Sequence, residues 1–455
     1  MSDRPASGSG LFGELFSGAA IAREVSDRAW LQALLDAEAA LARAEAGVGL
    51  VPPEAVVEIS AACTPDAFDL ESIGRRAGES GNPVVPLVRD LRAAVSPGVS
   101  RYVHLGATSQ DIVDTAMALV AHRALGHLLD DLAAVAADCA RLADAHRHTV
   151  MAARTLMQQA TPTTFGLKAA GWLVAVDEAR VLLDHVRSER LAIQLGGAAG
   201  NLTALGNDGP AVVAALAEQL NLARPTLPWH TNRVRIAELA SALGITCGVL
   251  GKMAGDLILL AQTEVAEIQE AAAGGGSSSM PQKRNPVQAI LTVAAARRAP
   301  GLVATLLTTM VQEHERAAGG WHAEWTTLSE LLAITGGAAI HSHTLLAGLF
   351  VDVDRMEAQV TGNDVLMAGA VASRLAHSMG ADEAHDLVRR CVDTAGARRT
   401  SLRAALLEEP RVAAVLSTAE LDAVLEPRAH LGANSDLVSA ALRAHDDVSI
   451  GGRAG

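Results

Sequence analysis

Apolar residues recur at helical spacing, with charged residues between them, along most of the chain. Apolar positions three or four residues apart lie on one face of a helix. The pattern predicts long helices over residues 21–46, 112–147, 165–193, 236–271, 287–309 and 325–350. Several helices of this length cannot bury their apolar faces inside a small globule. We therefore expect an elongated bundle whose helices also pair with other subunits.

Glycine and proline residues divide the rest of the chain into shorter segments. A Ser-Gly-Asn-Pro turn at residues 80–83 precedes a short helix, and breaks at Gly362, Gly380 and Pro427 separate short helices near the end. Strong helix formers dominate and β-branched alternation is scarce, which predicts an all-α fold. We expect three domains: a helical domain at 1–105, a central long-helix bundle at 106–350 and a C-terminal helical domain at 351–455.

The charge balance narrows the possible partners. The 455 residues carry a net charge of −14 at pH 7, which argues against binding to nucleic acid or to an anionic membrane surface. An anionic substrate would need a local positive site. Residues 331–351 contain no Asp, Glu, Lys or Arg and could span a bilayer by length. Two histidines and a Gly-Gly pair in that stretch favour a buried bundle helix instead.

The cysteines and the first residues bear on location. Cys63, Cys139, Cys247 and Cys391 are far apart and form no CxxC pair, which is typical of small core residues in a reducing cytosol. Residues 1–10 are polar and lack the apolar core of a signal peptide. We expect a cytoplasmic protein.

The first candidate site is a glycine–serine loop between two long apolar stretches, residues 274–286, with the sequence GGGSSSMPQKRNP. Tandem glycines adopt positive φ easily, and successive backbone N–H groups in such a loop can surround an anion. Lys283 supplies positive charge and Asn285 an amide, while Ser277 needs its alkoxide stabilised before it can act as a base. A Gly/Ser run alone is typical of a flexible linker. The Met-Pro-x-Lys-x-Asn-Pro sequence that follows it favours a site.

The second candidate site is His104-Leu-Gly-Ala-Thr-Ser-Gln-Asp111, directly before the long apolar stretch 112–147. Thr108 and Asp111 have capping-box spacing, so these residues can simply start a helix. The same helix N-terminus also offers free N–H groups and a partial positive charge to a carboxylate. The hydroxyls of Thr108 and Ser109 would add hydrogen bonds, and His104 could add charge. We expect both roles together.

These two segments and a third, ARTLMQQATPTTFG at residues 153–166, resemble the signature segments of the fumarase/aspartase superfamily, in the expected order. Its members include adenylosuccinate and argininosuccinate lyases, which β-eliminate a group from a carboxylate-bearing skeleton or run that reaction backwards. The resemblance spans about residues 11–443. It implies a three-domain, all-α fold with a central bundle of long helices. It also implies a homotetramer whose active sites combine segments of different subunits.

The chain departs from the lyase pattern at an acid–base pair. Where lyases of the superfamily carry a histidine and a glutamate, this chain has Leu156 and Ile290. Replacing both polar partners avoids leaving one buried and unpaired, so we expect an apolar pocket there. An alkoxide or amine leaving group needs a proton, whereas a carboxylate, with a conjugate-acid pKa of about 4, does not. Val234 also stands where the family usually has aspartate.

Lactone opening by β-elimination has such a carboxylate leaving group, and its reverse is the cyclisation of a muconate. The segments EHERAAGGWHAEW at 313–325 and HLGA at 430–433 resemble this cycloisomerase branch of the superfamily. Taken alone, Trp321 and Trp325 indicate helix packing, and His314 a surface or capping residue. The resemblance implies conversion of 3-carboxy-cis,cis-muconate to a γ-lactone, in the protocatechuate branch of the β-ketoadipate pathway of aromatic-acid catabolism.

The resemblance also assigns roles to individual residues. Ser277 is the base of the elimination and carries the proton in cyclisation, while Lys283 and Asn285 stabilise an aci-carboxylate. The remaining carboxylates of a small polycarboxylate substrate are expected to contact Asn82, His104, Thr108, Ser109, Thr155, Gln158, His314 and Arg316, with His104 also a catalytic candidate. No metal-ligand spacing or nucleotide-binding loop is present, and we expect neither metal nor cofactor.

Two other functions remain open at this point. A superfamily lyase that expels another good leaving group, such as nitrite from a succinate skeleton, would equally lack the histidine–glutamate pair. A non-catalytic helical scaffold could also retain the fold. Absorbance of the muconate diene would identify the cycloisomerase, and nitrite release would separate the lyase from the scaffold.

Overall fold

A computed structural model describes residues 11–271 and 279–451 of the chain. Ser277 and the three glycines before it lie outside the described residues. Contacts along the chain divide it into two compact units. The first comprises 1–134, 178–255 and 288–343, and the second comprises 135–177, 256–287 and 344–455. The predicted three-domain division remains a prediction.

Helices account for most of the structure. Before the first long helix lie α1 Ala19–Glu24, α2 Asp27–Gly47, α3 Pro53–Ala62, α4 Leu70–Ser80 and α5 Val84–Ala94. The middle of the chain forms α6 Ser109–Ala145, α7 Phe165–His185, α8 Gly209–Leu220, α9 Val234–Leu260, α10 Val287–Thr308 and α11 Gly320–Ala347. The last part forms α12 Val353–Thr361, α13 Ala368–Met379, α14 Ala381–Arg398, α15 Leu402–Leu407, α16 Pro410–Ala413, α17 Thr418–Val424 and α18 Asn434–Gly451. At 1.5 Å per residue, α6 alone is about 55 Å long.

Short antiparallel strands interrupt the helices. They are β1 Val150–Thr155 paired with β2 Gln158–Thr164, and β3 Ile268–Gln269 paired with β4 Phe350–Val351. The β1–β2 hairpin turns through two residues, Leu156 and Met157, whose φ angles are 48° and 67°. Both residues adopt the positive φ that a type I′ turn requires, without the usual Asn or Gly. The sequence pattern did not predict this hairpin.

Several predicted helix boundaries were wrong, for identifiable reasons. The helix predicted over 21–46 is divided at Ser26, whose Oγ caps α2 by accepting a hydrogen bond from the Ala29 N–H at 3.2 Å. The helix predicted to reach residue 271 stops at Leu260 because Glu267 forms a bidentate pair with Arg154, at 2.8 and 2.9 Å, just before β3. Ala266 adopts a φ of 52° there. Tertiary pairing thus overrides helix propensity in this segment.

The cores of the two units consist of aliphatic side chains, as the composition predicts. In the first unit, α2 buries a stripe that includes Leu31, Leu35 and Leu41. In the second, α13 and α14 pack around buried residues such as Leu375 and Leu387. All four cysteines are buried, which confirms the prediction that they are small core residues.

The uncharged stretch 331–351 forms most of α11, and its side chains are largely buried, as predicted. The Gly336–Gly337 pair lies against the N-terminal segment. A Cβ on Gly337 would come within 2.2 Å of the Phe16 carbonyl oxygen. By length and composition alone, α6, α9 and α10 could each cross a membrane. The chain buries 72% of the apolar window of α6, but only 44% of that of α9 and 22% of that of α10.

Candidate active site

The segment from His104 to Ser109 forms a tight loop at the N-terminus of α6. His104 and Gly106 both adopt left-handed backbone conformations, with φ of 62° and 70°. A Cβ on Gly106 would come within 2.6 Å of the Leu205 side chain, so only glycine fits there. A histidine with positive φ is uncommon, and such strain concentrates at functional sites.

Asp111 holds this loop against a second glycine turn. Its carboxylate accepts hydrogen bonds from the backbone N–H groups of Thr108, Gly196 and Gly197, each at 2.9 Å. It also contacts His230 Nε2 at 2.7 Å. One half of the predicted capping box is therefore present, from Asp111 back to the Thr108 N–H. Asp111 fixes the backbone of both turns at once.

The hydroxyl of Thr108 has a different partner from the one that a capping box would give it. Arg316 Nη1 donates to Thr108 Oγ1 at 3.0 Å, and Arg316 Nη2 donates to the Ala198 carbonyl at 3.2 Å. Arg316 thereby connects three loops of the first unit. His314, two residues earlier, is exposed and has a φ of 47°. Contact of either residue with substrate remains a prediction.

A buried ionic network supports the start of α6. Arg233 is fully buried and pairs with Asp114 at 2.8 Å and with Glu324, whose Oε1 lies 3.0 Å from Nε. Trp321 Nε1 donates to Asp114 at 3.0 Å, and its ring meets that of Trp325 edge to face, so both tryptophans pack as predicted. Burial raises the pKa of Glu324, although Arg233 opposes the shift. Every charge in this network has a direct partner, which a buried charge requires.

His104 lies at the edge of a basic pocket in the first unit. The pocket has a volume of about 380 Å³ and is lined by Val84, Val85, Val88, Arg89, Arg92, His104 and Ser109. His104 Nδ1 lies 2.6 Å from Glu38 Oε1, and the two side chains are 14% and 1% exposed. Burial lowers the pKa of His104, but the charge and hydrogen bond of Glu38, together with the charge of Asp111, raise it, and the pKa is raised overall. The pocket thus presents positive charge in a strongly acidic protein.

Asn82, at the start of α5, has a local structural role. Its Oδ1 accepts hydrogen bonds from the backbone N–H of Val84 at 3.1 Å and of Val85 at 3.4 Å. These hydrogen bonds are typical of an asparagine in a turn, which is the structural role that the Asn-Pro sequence indicates. Val84 and Val85 both line the basic pocket, so Asn82 shapes one wall of it. Direct contact of Asn82 with substrate remains a prediction.

The candidate residues of the third segment lie at the tip of the β1–β2 hairpin, in the second unit. Thr155 and Gln158 form a cross-strand pair, and both are exposed. Between them, Leu156 is 97% exposed, and Ile290 at the start of α10 is 46% exposed. Leu156 is therefore not enclosed within a single chain, and the apolar pocket expected at this position remains a prediction. A two-residue turn carries Leu156 beyond the packed part of its hairpin.

The described part of the glycine–serine loop leads directly into α10. Lys283 is exposed, and its N–H donates to the Met280 carbonyl at 3.1 Å. Asn285 is half-buried, and its carbonyl accepts from the Val287 N–H at 2.9 Å. Ser277 lies outside the described residues. The roles of all three residues remain predictions.

Sequence reasoning missed several residues around the pocket. Glu38 is an acid within the apolar stripe of α2, and such an interruption was its only signal. Arg89 and Arg92 are three apart on α5, a spacing that places them on one helix face. Val234, which the sequence analysis did single out because the family usually has aspartate there, is the first residue of α9, is 42% exposed and does not line the basic pocket. Contacts between segments that are far apart in the sequence bring the other three residues to the pocket, and a local sequence pattern does not show such contacts.

The described residues offer carboxylate-binding groups rather than a recognisable metal site. Within 11–271 and 279–451, no group of three or more His, Cys, Asp or Glu side chains is placed to hold a metal ion. The basic pocket instead combines two guanidinium groups, an imidazole and a serine hydroxyl. Guanidinium groups bind carboxylates through parallel N–H bonds.

Comparison with known proteins gives a consistent result over almost the whole chain. Residues 17–301 match the model of the lyase family, and residues 364–441 match that of the adenylosuccinate lyase C-terminus. A 3-carboxy-cis,cis-muconate cycloisomerase of Pseudomonas aeruginosa is 47% identical over 98% of this chain and 98% of its own. A nitrosuccinate lyase of Streptomyces davaonensis is 43% identical over 96% of this chain and 95% of its own.

A solved structure supports the same grouping. The 3-carboxy-cis,cis-muconate lactonizing enzyme of Pseudomonas putida has a TM-score of 0.90 and 43% identity to this chain. The match covers 96% of this chain and 99% of that one. The long-helix fold and the three signature segments agree with this similarity. The chain therefore belongs to the fumarase/aspartase superfamily of lyases and cycloisomerases.

Proposed function

We propose that this protein is a 3-carboxy-cis,cis-muconate cycloisomerase that forms a γ-lactone in aromatic-acid catabolism, within the protocatechuate branch of the β-ketoadipate pathway. The observation that carries the proposal is the basic pocket lined by Arg89, Arg92 and His104. The substrate has three carboxylates, and a protein of net charge −14 needs such a local site to hold them. The similarity to cycloisomerases over nearly the full chain supports the same reaction.

The proposed chemistry needs one proton transfer. An oxygen of one substrate carboxylate bonds to a carbon of the conjugated system, and the π-electron pair moves to the carbon α to another carboxylate. That carboxylate becomes an aci-carboxylate, which Lys283 and Asn285 stabilise. Ser277 then delivers a proton to the α-carbon. No leaving group requires protonation in either direction, in keeping with Leu156 and Ile290 at the positions of the lyase acid–base pair.

The alternative function is that of a nitrosuccinate-type lyase, which the 43% identity to such an enzyme supports. Nitrosuccinate carries only two carboxylates, so it makes less use of a pocket with three basic groups. Loss of the diene absorbance of 3-carboxy-cis,cis-muconate tests the first function, and nitrite release from nitrosuccinate tests the second. Activity on nitrosuccinate that exceeds activity on the muconate would overturn the assignment.

We propose a homotetramer whose active sites combine segments of different subunits. The exposed apolar hairpin tip, with Leu156 at 97% and Met157 at 67%, supports this assembly. So does α10, which buries only 22% of its apolar window within one chain. Apolar surface of this extent is typical of subunit interfaces. The exposed candidates Thr155, Gln158 and Lys283 would then complete sites on neighbouring copies.

The remaining expectations follow from charge and composition. We propose a cytoplasmic enzyme, since four buried cysteines without disulfides fit a reducing compartment. The net charge of −14 argues against nucleic acid and anionic membranes as partners. We also propose the division into domains 1–105, 106–350 and 351–455, with the central one carrying the signature loop.

A further inference from the structure

Glu38 is buried in the first unit, and it contacts His104, one of the residues that line the basic pocket. Its Oε1 is 2.6 Å from His104 Nδ1, while its other oxygen, Oε2, is buried without a hydrogen-bond partner. The two residues lie on different elements, with Glu38 in α2 and His104 in the left-handed loop before α6. Such a contact fixes both the position and the tautomer of the imidazole.

The opposite ring nitrogen of His104 is available to a ligand. Among the described residues, Nε2 of His104 has no hydrogen-bond partner, and the side chain lines the basic pocket. With Nδ1–H donating to Glu38, a protonated ring carries a second N–H at Nε2. Because Glu38 is 1% exposed, its negative charge is not solvated by water and favours a positive imidazole beside it.

We propose that Glu38 is a positioning residue for the reaction, which holds His104 as an imidazolium with Nε2–H directed to a substrate carboxylate. This inference rests on the proposed function for the identity of the carboxylate, but not for the Glu38–His104 pair itself. Glu38 acts through His104 and does not touch the substrate.

The other charged groups near His104 divide into two sets. Asp111, on α6, also favours the charged imidazole, whereas Arg92, on α5, opposes it. Arg92 Nη2 donates to the Val103 carbonyl at 3.1 Å and so fixes the backbone directly before His104. Arg89 is exposed at the pocket. Glu38 is the group in direct contact, and its removal should therefore dominate.

The pair predicts a definite direction of pH dependence. His104 has a raised pKa, so its imidazolium persists to higher pH than in an ordinary histidine and is lost as pH rises through that pKa. In Glu38→Gln the ring keeps a hydrogen-bond acceptor but loses the charge. Burial and Arg92 then lower the pKa of His104, and the alkaline limb of kcat/KM moves to lower pH.

The second buried acid of α2 provides a matched control. Glu45 lies two helical turns from Glu38, is 0% exposed and has no hydrogen-bond partner on either oxygen. Burial, and then the charge of Glu38, raises the pKa of Glu45 to about 9, so it is neutral at pH 7. Glu45→Gln therefore changes a buried carboxyl of the same helix without changing the charge at His104.

The experiment compares wild type, Glu38→Gln and Glu45→Gln by kcat/KM for 3-carboxy-cis,cis-muconate between pH 6 and 9, and by NMR titration of the His104 imidazole. In Glu38→Gln we expect a loss of about 10- to 100-fold in kcat/KM above neutral pH, chiefly through KM, as for one charged hydrogen bond. The His104 titration should move to lower pH. Glu45→Gln should match the wild type in both.

Two results would overturn the role of Glu38, and a third would overturn the proposed function separately. A folded Glu38→Gln protein with wild-type titration of His104 and an unchanged pH profile would overturn the proposal. Equal effects of the two variants would assign Glu38 a merely structural role and would overturn it as well. The NMR titration needs no substrate, so a wild-type protein that leaves the muconate unchanged overturns the proposed function while the Glu38–His104 pair is still tested.

Discussion

Asp111 and His230 are 119 positions apart in the sequence, yet Asp111 Oδ1 and His230 Nε2 lie 2.7 Å apart in the buried part of the first unit. The same carboxylate receives N–H bonds from the Thr108 loop and the Gly196–Gly197 turn. Asp111 is therefore the common anchor of two turns next to the basic pocket. Its four partners are donors, with the histidine contact requiring a protonated Nε2.

Asp111→Asn should destabilise the protein and reduce its activity. An amide presents one oxygen and one NH2 group, so its NH2 would face backbone N–H donors and leave them unpaired. We expect a loss of about 3–5 kcal/mol in the free energy of unfolding, measured with urea. Asp144→Asn, an exposed acid near the other end of α6, is the control and should change it little. An Asp111→Asn protein as stable as the wild type would refute the anchor.

Glu45 should make stability depend on pH. Its pKa is raised in the folded state to about 9, so the folded protein keeps a proton there that the unfolded chain loses above its ordinary pKa. The stability of the wild type is therefore highest at acidic pH with respect to this group and falls as pH rises toward 9. The glutamine side chain in Glu45→Gln does not titrate, so the variant lacks this pH dependence of stability.

The Glu45→Gln variant should accordingly be at least about 1 kcal/mol more stable than the wild type at pH 8, since one pKa unit corresponds to about 1.4 kcal/mol. The difference should shrink toward pH 5. Thermal unfolding at both pH values measures it. A difference independent of pH would show that Glu45 is ionised in the folded protein.

Replacing the two residues of the β1–β2 turn should raise the stability of the protein and lower its activity. Leu156 and Met157 adopt positive φ, which Asn and Gly tolerate far better. Leu156→Asn with Met157→Gly should raise the free energy of unfolding of the subunit by about 1 kcal/mol. It should also lower kcat/KM if the apolar tip packs into the site of a neighbouring subunit. Higher stability with unchanged activity would separate the tip from the site.

Shared sites can be tested by mixing inactive variants. Ser277→Ala should lose about 10³-fold or more in kcat, because it removes the proton-transfer group. His104→Ala should lose most of its kcat/KM, because it removes the positive charge that binds a substrate carboxylate. Ser278→Ala serves as the control for Ser277→Ala. After joint unfolding and refolding, a mixture of the two inactive proteins should regain part of the activity through hybrid sites.

Light scattering should show a tetramer in the same samples. A fully active monomer, or mixtures that never exceed either variant alone, would contradict the shared-site assembly. In that case the apolar surfaces of Leu156 and α10 would face water rather than a neighbouring subunit.

The sequence predicted the helical class, the long helices and the position of the His104–Asp111 segment before α6. These follow from local periodicity and capping chemistry, which a short segment carries by itself. It did not predict the β1–β2 hairpin, because Leu156 and Met157 are unusual turn residues. Nor did it predict Glu38 beside His104, since that pairing depends on how α2 packs against a loop 66 positions later.

The central claim is that a substrate carboxylate adds to a conjugated double bond and that the protein supplies a single proton. Conversion of 3-carboxy-cis,cis-muconate in D2O, and separately in H2¹⁸O, followed by mass spectrometry and NMR of the product, tests this most directly. The account predicts a γ-lactone with one deuterium on the α-carbon and no oxygen from water. A hydrated open-chain product carrying ¹⁸O, or unchanged muconate alongside rapid nitrite release from nitrosuccinate, would contradict it.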